Sequence, residues 1–174
     1  MVAYICITID EENEMSTELV RVDYHNSAQA SDLIRLLNDY ACDPMGGAED
    51  LPAHSQSHLV DALQDFPGAF SILCYVDGVA AGLTNCFTGF STFKCKPLVN
   101  VHDMTVGSAF RGLGLSQLLL AEVEAIARER GCCKVTLEVL SGNQVAKNAY
   151  LKFGYEGYAL DPSIGHAEFW QKTL

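Results

Sequence analysis

The chain has 174 residues, 49% of them apolar, which suits a single folded domain over 1–174 and excludes a disordered chain. A net charge of −11 at pH 7 argues against nucleic acid as a partner, because such binding needs a basic face; it weakly favours a cationic one, behind the simpler reading that acidity serves solubility. No run of about 18 uncharged apolar residues occurs, so no membrane partner is expected. The opening MVAYICITIDEENE lacks the basic and apolar regions of a secretion signal. The seven cysteines are scattered and none has C-x-x-C spacing, so no metal is expected and reduced thiols in a cytoplasmic protein are.

In chain order, YICITI (4–9) and ELVRVDY (18–24) are predicted strands, rich in β-branched residues, with a polar turn between them. SAQASDLIRLLNDYA (27–41) is a predicted helix whose Leu33, Leu36, Leu37 and Tyr40 share one face, with Ser27 as the expected cap. The stretch 42–54 reads as loop, and its Asp43, Glu49 and Asp50 could line a cation site or lie in solvent. A shorter helix follows over 55–66, stopped by Pro67-Gly68. In 69–87 two apolar runs flank Asp77-Gly78, which predicts a hairpin with a type I′ turn.

KPLVNVHDMTV (96–106) is the next predicted strand, and 114–130 the main helix, with Gly131 after its end. CKVTLEVL (133–140) reads as a buried strand, 143–153 as a short helix closed by Gly154, and YEGYAL and HAEFWQKTL as closing strands. The order implies a mixed α/β fold in which the strands around the main helix are parallel neighbours with a right-handed connection.

The stretch FRGLGLSQ opens the main helix. A helix start exposes amides without internal partners and carries partial positive charge. Gly112 and Gly114 remove the Cβ atoms that would keep a phosphate away, and Arg111 adds a cation. The turn therefore suits a diphosphate, although glycine could equally serve turn geometry alone. No lysine follows as in a P-loop, and the spacing is not that of the dinucleotide fingerprint.

VHDMTVGSAFRGLGLSQLLL resembles the acyl-coenzyme A segment of the GNAT family of N-acetyltransferases, whose signature is Arg/Gln-x-x-Gly-x-Gly/Ala after a strand. Arg111, Gly114 and Ser116 fall on its defined positions, with Ser116 a departure from Gly or Ala. LEVLSGNQVAKNAYLKFGYEGY resembles the family's following strand and helix through Asn143, Ala146, Tyr150, Gly154 and Tyr155. The resemblance covers 69–158 well and 27–66 loosely.

It implies a central mixed, mostly antiparallel sheet with helices on both faces and two strands splayed into an acyl-CoA cleft. It also implies transfer of acetyl from acetyl-CoA, as co-substrate, directly to a primary amine. The expected acceptor is a small molecule such as an amino acid, polyamine or aminosugar. A protein lysine or N-terminus, or an acyl-CoA sensor without turnover, are the alternatives, and a homodimer is compatible with each.

Carried onto this chain, the coenzyme would be held by Arg111, Gly112, Leu113, Gly114, Leu115 and Ser116, with Asn143 as helix cap and arm contact. The backbone of Met104, Thr105 and Val106 would pair with the pantetheine arm. The amide of Met104 or Thr105 would stabilise the tetrahedral oxyanion. Tyr150, in the family's general-acid position, would protonate the leaving thiolate and touch the coenzyme.

An ammonium must lose a proton before it attacks, which calls for a base or a water relay. His102 and Asp103 are level candidates, with Glu138 third; strict alternation would put His102 and Asp103 on opposite faces. Cys132 and Cys133 read as packing, and Trp170 as core or interface.

Overall fold

The protein is described from a computed structural model that covers the backbone of Ala3–Cys6 and residues 15–158, 161, 163, 165 and 167–174. It divides into a compact unit that runs to Leu137 and a second from Glu138 onward.

The first unit is a six-stranded sheet whose strands lie in chain order: β1 (Ala3–Cys6), β2 (Ser16–Arg21), β3 (Ala69–Val76), β4 (Val79–Ser91), β5 (Lys96–Val106) and β6 (Val135–Leu137). All neighbours are antiparallel except β5 and β6, which are parallel. The parallel pair is joined through α3 (Leu115–Glu129), as the sequence predicts. The β3–β4 turn is the expected one, with Asp77 and Gly78 at φ 48° and 76°.

The sheet is buried on both faces because its central strands are apolar at successive positions. On one side Ile72, Cys74, Val99 and Val101 pack against Leu115, Leu119, Val123 and Ile126 of α3. On the other, Leu73, Ala80 and Leu83 meet Leu33, Leu36 and Leu37 of α1 (Ser27–Ala41) and Leu63 of α2 (Ala53–Asp65). Each such fully buried leucine stabilises the fold by about 1.5–3 kcal/mol. The mixed sheet with helices on both faces is thus present in this unit.

Several local expectations change. Asn26, not Ser27, caps α1: its side chain accepts from the amides of Ala28 and Gln29. The helix α2 starts at Ala53 and the strand β2 ends at Arg21. Of the first predicted strand, residues 7–9 lie outside the described residues. The predicted strand 133–140 is a strand only over Val135–Leu137, so Glu138 lies just past it, exposed.

The second unit holds α4 (Gln144–Phe153), opened by Asn143, whose Oδ1 accepts from the Ala146 amide at 3.1 Å, and closed by Gly154 at φ 101°. Its closing strands do not form among the described residues 155–158 and 167–174. Trp170, expected in core or interface, is exposed, with its indole N–H on Glu168.

Among the described residues no helix is long and apolar enough to cross a membrane.

Candidate functional site

Two irregularities at the C-terminal end of β5 make the site in the first unit. The first is a difference in ladder length. The pairing of β5 with β4 runs to Val106–Gly82, whereas its pairing with β6 stops at Val101–Leu137. His102–Val106 therefore continue past the end of the β5–β6 ladder, and an extended chain with amides could add to that edge. Met104 and Val106 turn their side chains onto the α3 cluster; Thr105 is half-buried.

The second is a β-bulge. Asn85 faces Asp103 and Cys86 faces Val101, so His102 is the extra residue. Val101 and Met104 pack on the α3 side. The His102 ring meets Phe87 edge-on at 5.4 Å, and Phe87 packs on the α1–α2 cluster. Asp103 Oδ2 accepts from Asn85 Nδ2 at 3.0 Å. Through Ser71, Asn85 joins Tyr24, which also packs on the α1–α2 cluster. The alternation expected for His102 and Asp103 is thus broken: both face the α1 side, the exposed imidazole beside the half-buried carboxylate. Tyr40 of α1 sits within the field of Asp103. Burial and the Asp103 charge push its phenol up from its ordinary value.

Past β5, a single 3-10 turn (Ser108–Phe110) leads to Arg111. Gly112 and Gly114 take φ 87° and 79°, the left-handed region that favours glycine. The turn therefore demands glycine for its own geometry. A Cβ built on either would meet nothing within 4 Å, so the space before the turn is open as well. Gly112, Leu113 and Gly114 are exposed, Ser116 is half-buried, and the Leu115 side chain is buried in the α3 cluster.

The helical ladder starts with Gln117 and Leu118 donating to the Gly114 carbonyl at 2.9 and 3.4 Å. Amides ahead of them lie in the first turn, which has no acceptors inside the helix. The N-cap of α3, Gly114, has no side chain to cap the helix, in contrast to Asn26 on α1 and Asn143 on α4; Pro52 at the start of α2 also makes no side-chain cap bond. A diphosphate fits this arrangement of donors, open space and positive charge.

Arg111 is already engaged. Its Nη2 donates to Asp43 Oδ2 at 3.0 Å and its Nε to the Val106 carbonyl at 3.3 Å. The Met45 amide and the Arg111 guanidinium hold the Asp43 carboxyl below the usual carboxylate range. Asp50 accepts from Asn38 and from the Cys42 thiol. Two of the loop acids read as a cation lining thus face protein partners instead. Because the Asp43 charge competes with an anion for Arg111, Asp43→Asn is expected to tighten CoA binding a few-fold, an effect that fades in high salt. Titration calorimetry at two ionic strengths checks this.

Glu138 and Tyr150 belong to the second unit. There Tyr150 is half-buried beside Tyr155, ring centroids 5.9 Å apart. Cys132 packs on the α3 cluster and burial raises its thiol, which suits packing rather than nucleophilic chemistry. Sequence reasoning missed Asn85 and Ser71, and it placed Tyr40 on a helix face and Asp43 in a loop without their partners at this site. The signal available was a polar residue inside an otherwise apolar strand, as in AFSILCYV and GLTNCF.

Residues 33–155 match the acetyltransferase (GNAT) family. The chain is 29% identical over 89 residues to the streptothricin acetyltransferase of Streptomyces lavendulae, across 49% of this chain and 47% of that one. It is 38% identical over 55 residues to the uncharacterized N-acetyltransferase YdgE of Bacillus subtilis (strain 168), across 32% of this chain and 35% of that one. The matches therefore span about half and about a third of these curated relatives.

Among solved structures, aminoglycoside N-acetyltransferase AAC(6')-Iy in complex with CoA aligns with a TM-score of 0.71 at 15% identity, covering 94% of this chain and 99% of that one. A transcriptional regulator from Bacillus halodurans aligns with a TM-score of 0.73 at 16% identity, covering 90% and 99%. At such identities the likeness is one of fold.

Proposed function

Because the chain belongs to the acetyltransferase (GNAT) family, we propose that it moves the acetyl group of acetyl-CoA directly onto the primary amine of a small molecule. The observation that carries this is the turn Gly112–Ser116: open, without a capping side chain, and placed where β5 has outrun β6. The family match runs from the first unit into the second, which supports one N-acetyltransferase domain over 1–174.

Under this reading the amides of the turn and Arg111 hold the diphosphate. The backbone of Met104–Val106 receives the pantetheine arm as an added strand. The Met104 or Thr105 amide meets the oxygen of the thioester carbonyl as negative charge develops on it. Asp103 holds the acceptor's ammonium, a proton leaves it through water, and the freed amine then attacks the thioester carbon; the attacking nitrogen loses its second proton to water, and the C–S bond breaks as the tetrahedral intermediate collapses. His102 flanks the amine. Tyr150 on α4 returns a proton to the departing sulfur. Asn143 sets the start of that helix and contacts the arm.

A small acceptor is favoured over a protein because the similar proteins include a streptothricin acetyltransferase and an aminoglycoside N-acetyltransferase. An aminosugar or polyamine also complements the net charge of −11.

The test is thiol release from acetyl-CoA against a panel of aminosugars, polyamines, amino acids and lysine peptides. Turnover with a small amine supports the proposal. Turnover with peptides alone moves the acceptor to proteins. A thermal shift with CoA but no turnover makes the protein a sensor. With an active pair in hand, Tyr150→Phe is expected to lower kcat about tenfold or more while the KM for acetyl-CoA stays near its original value. An unchanged kcat would assign the proton to another donor.

A further inference from the structure

Among the described residues of the first unit the buried polar side chains are Thr17, Ser71, Thr84 and Asn85, and all but Thr17 lead to Asp103: Asn85 to its carboxylate, Ser71 to Asn85 from behind, and Thr84 to its main-chain carbonyl. Asn85 Nδ2 donates to Asp103 Oδ2 at 3.0 Å, and Thr84 Oγ1 to the Asp103 carbonyl at 2.9 Å. Behind Asn85, Ser71 Oγ donates to Asn85 Oδ1 at 2.6 Å and lies 2.9 Å from the Tyr24 hydroxyl.

The direction of each bond follows from chemistry. An ionised carboxylate only accepts, so the Asn85 amide must turn its N–H₂ to Asp103 and its oxygen to Ser71. Ser71 then spends its proton on Asn85, and Tyr24 donates to Ser71. Every donor in the row points toward Asp103.

Asn85 and Ser71 are 2% and 1% exposed in the centre of the sheet, where apolar residues would pack without the cost of desolvating polar groups. A fully satisfied row of this kind fixes a side chain in one orientation. The bulge at His102 is what turns Asp103 onto the same face as this row.

We propose that Asn85 is a positioning residue for Asp103, itself held by Ser71 and Tyr24, and that it fixes Oδ2 so that Oδ1 meets the acceptor ammonium. This rests on the reading of Asp103 as the amine-holding group. The other titratable groups around Asp103 are Tyr40 from α1, His102 on its own strand and Cys86 from β4.

The test uses Asn85→Leu, which keeps the volume and removes the donor, and Asn85→Asp, which sets a second carboxylate beside the first. For each variant kcat/KM for an active amine and the KM for acetyl-CoA are measured, and the measurement is repeated with Asp103→Asn already in place. Asn85→Leu is expected to lower kcat/KM for the amine about tenfold in the parent and to add little further loss in the Asp103→Asn background, and Asn85→Asp to cost more in the parent, through crowding of two carboxylates. The KM for acetyl-CoA should hold throughout.

Should Asn85→Leu fail to fold, Ser71→Ala carries the same test with a smaller loss. An unchanged kcat/KM for the amine in these variants overturns the proposal. A loss of equal size with and without Asp103→Asn means that Asn85 acts independently of Asp103, and the positioning role falls with it.

Discussion

Replacing Gly114 with valine is expected to weaken CoA binding about a hundredfold, since charge-assisted hydrogen bonds to phosphate contribute about 1.5–3 kcal/mol each and more than one is at stake. Gly114 stands at φ 79° with open space where its Cβ would be. A valine there both blocks the close approach of a phosphate and strains the turn. The strain costs about 1–2 kcal/mol, which lowers the melting temperature by only several degrees in a chain of this size. The fold and the binding loss are therefore separable. S-acetyl-pantetheine, which has the arm without the diphosphate, should bind the variant nearly as well as it binds the parent. A CoA affinity within about threefold of the parent's would remove the diphosphate from this turn.

Asp103→Asn should lower kcat/KM for the amine about a hundredfold at neutral pH, near the upper end of what a hydrogen bond to a charged group contributes, with CoA affinity unchanged. The substitution keeps the shape and removes the charge that attracts an ammonium. His102→Ala should cost less than about tenfold, because its ring is exposed and meets Phe87 edge-on. If the histidine variant loses more than the aspartate variant, the imidazole is the group that handles the proton. Steady-state kinetics on the two proteins decides between them.

What was legible in the chain followed from local chemistry. The Leu33, Leu36 and Leu37 stripe marks α1, and Asp77-Gly78 marks a turn whose φ values only a few residues tolerate. The start of α4 at Asn143 and the full extent of β5 over 96–106 were readable for the same reason.

What was not legible depends on partners far away in sequence. The bulge at His102 exists only in the ladder with β4, so strict alternation misplaced Asp103. The strand β6 stops at Leu137 because pairing with β5 stops there, although VTLEVL continues with β-prone residues. Asn26 rather than Ser27 caps α1 because the chain enters the helix one residue earlier than composition indicates. Asp43 looked available to a cation until Arg111, 68 positions later, came to meet it. The Gly112–Ser116 turn is intermediate: its glycines were visible, but only the positive φ angles and the open space before them separate a geometric need from a vacant approach.

The most direct test is amide NMR on uniformly nitrogen-labelled protein titrated with CoA and, separately, with pantetheine. Saturating CoA should shift the amides of Gly112, Gly114, Leu115 and Ser116 strongly downfield, as phosphate oxygens accept from them, and pantetheine should leave them in place while moving Met104–Val106. Amides of the turn that stay still at saturating CoA would contradict a diphosphate held at the start of α3.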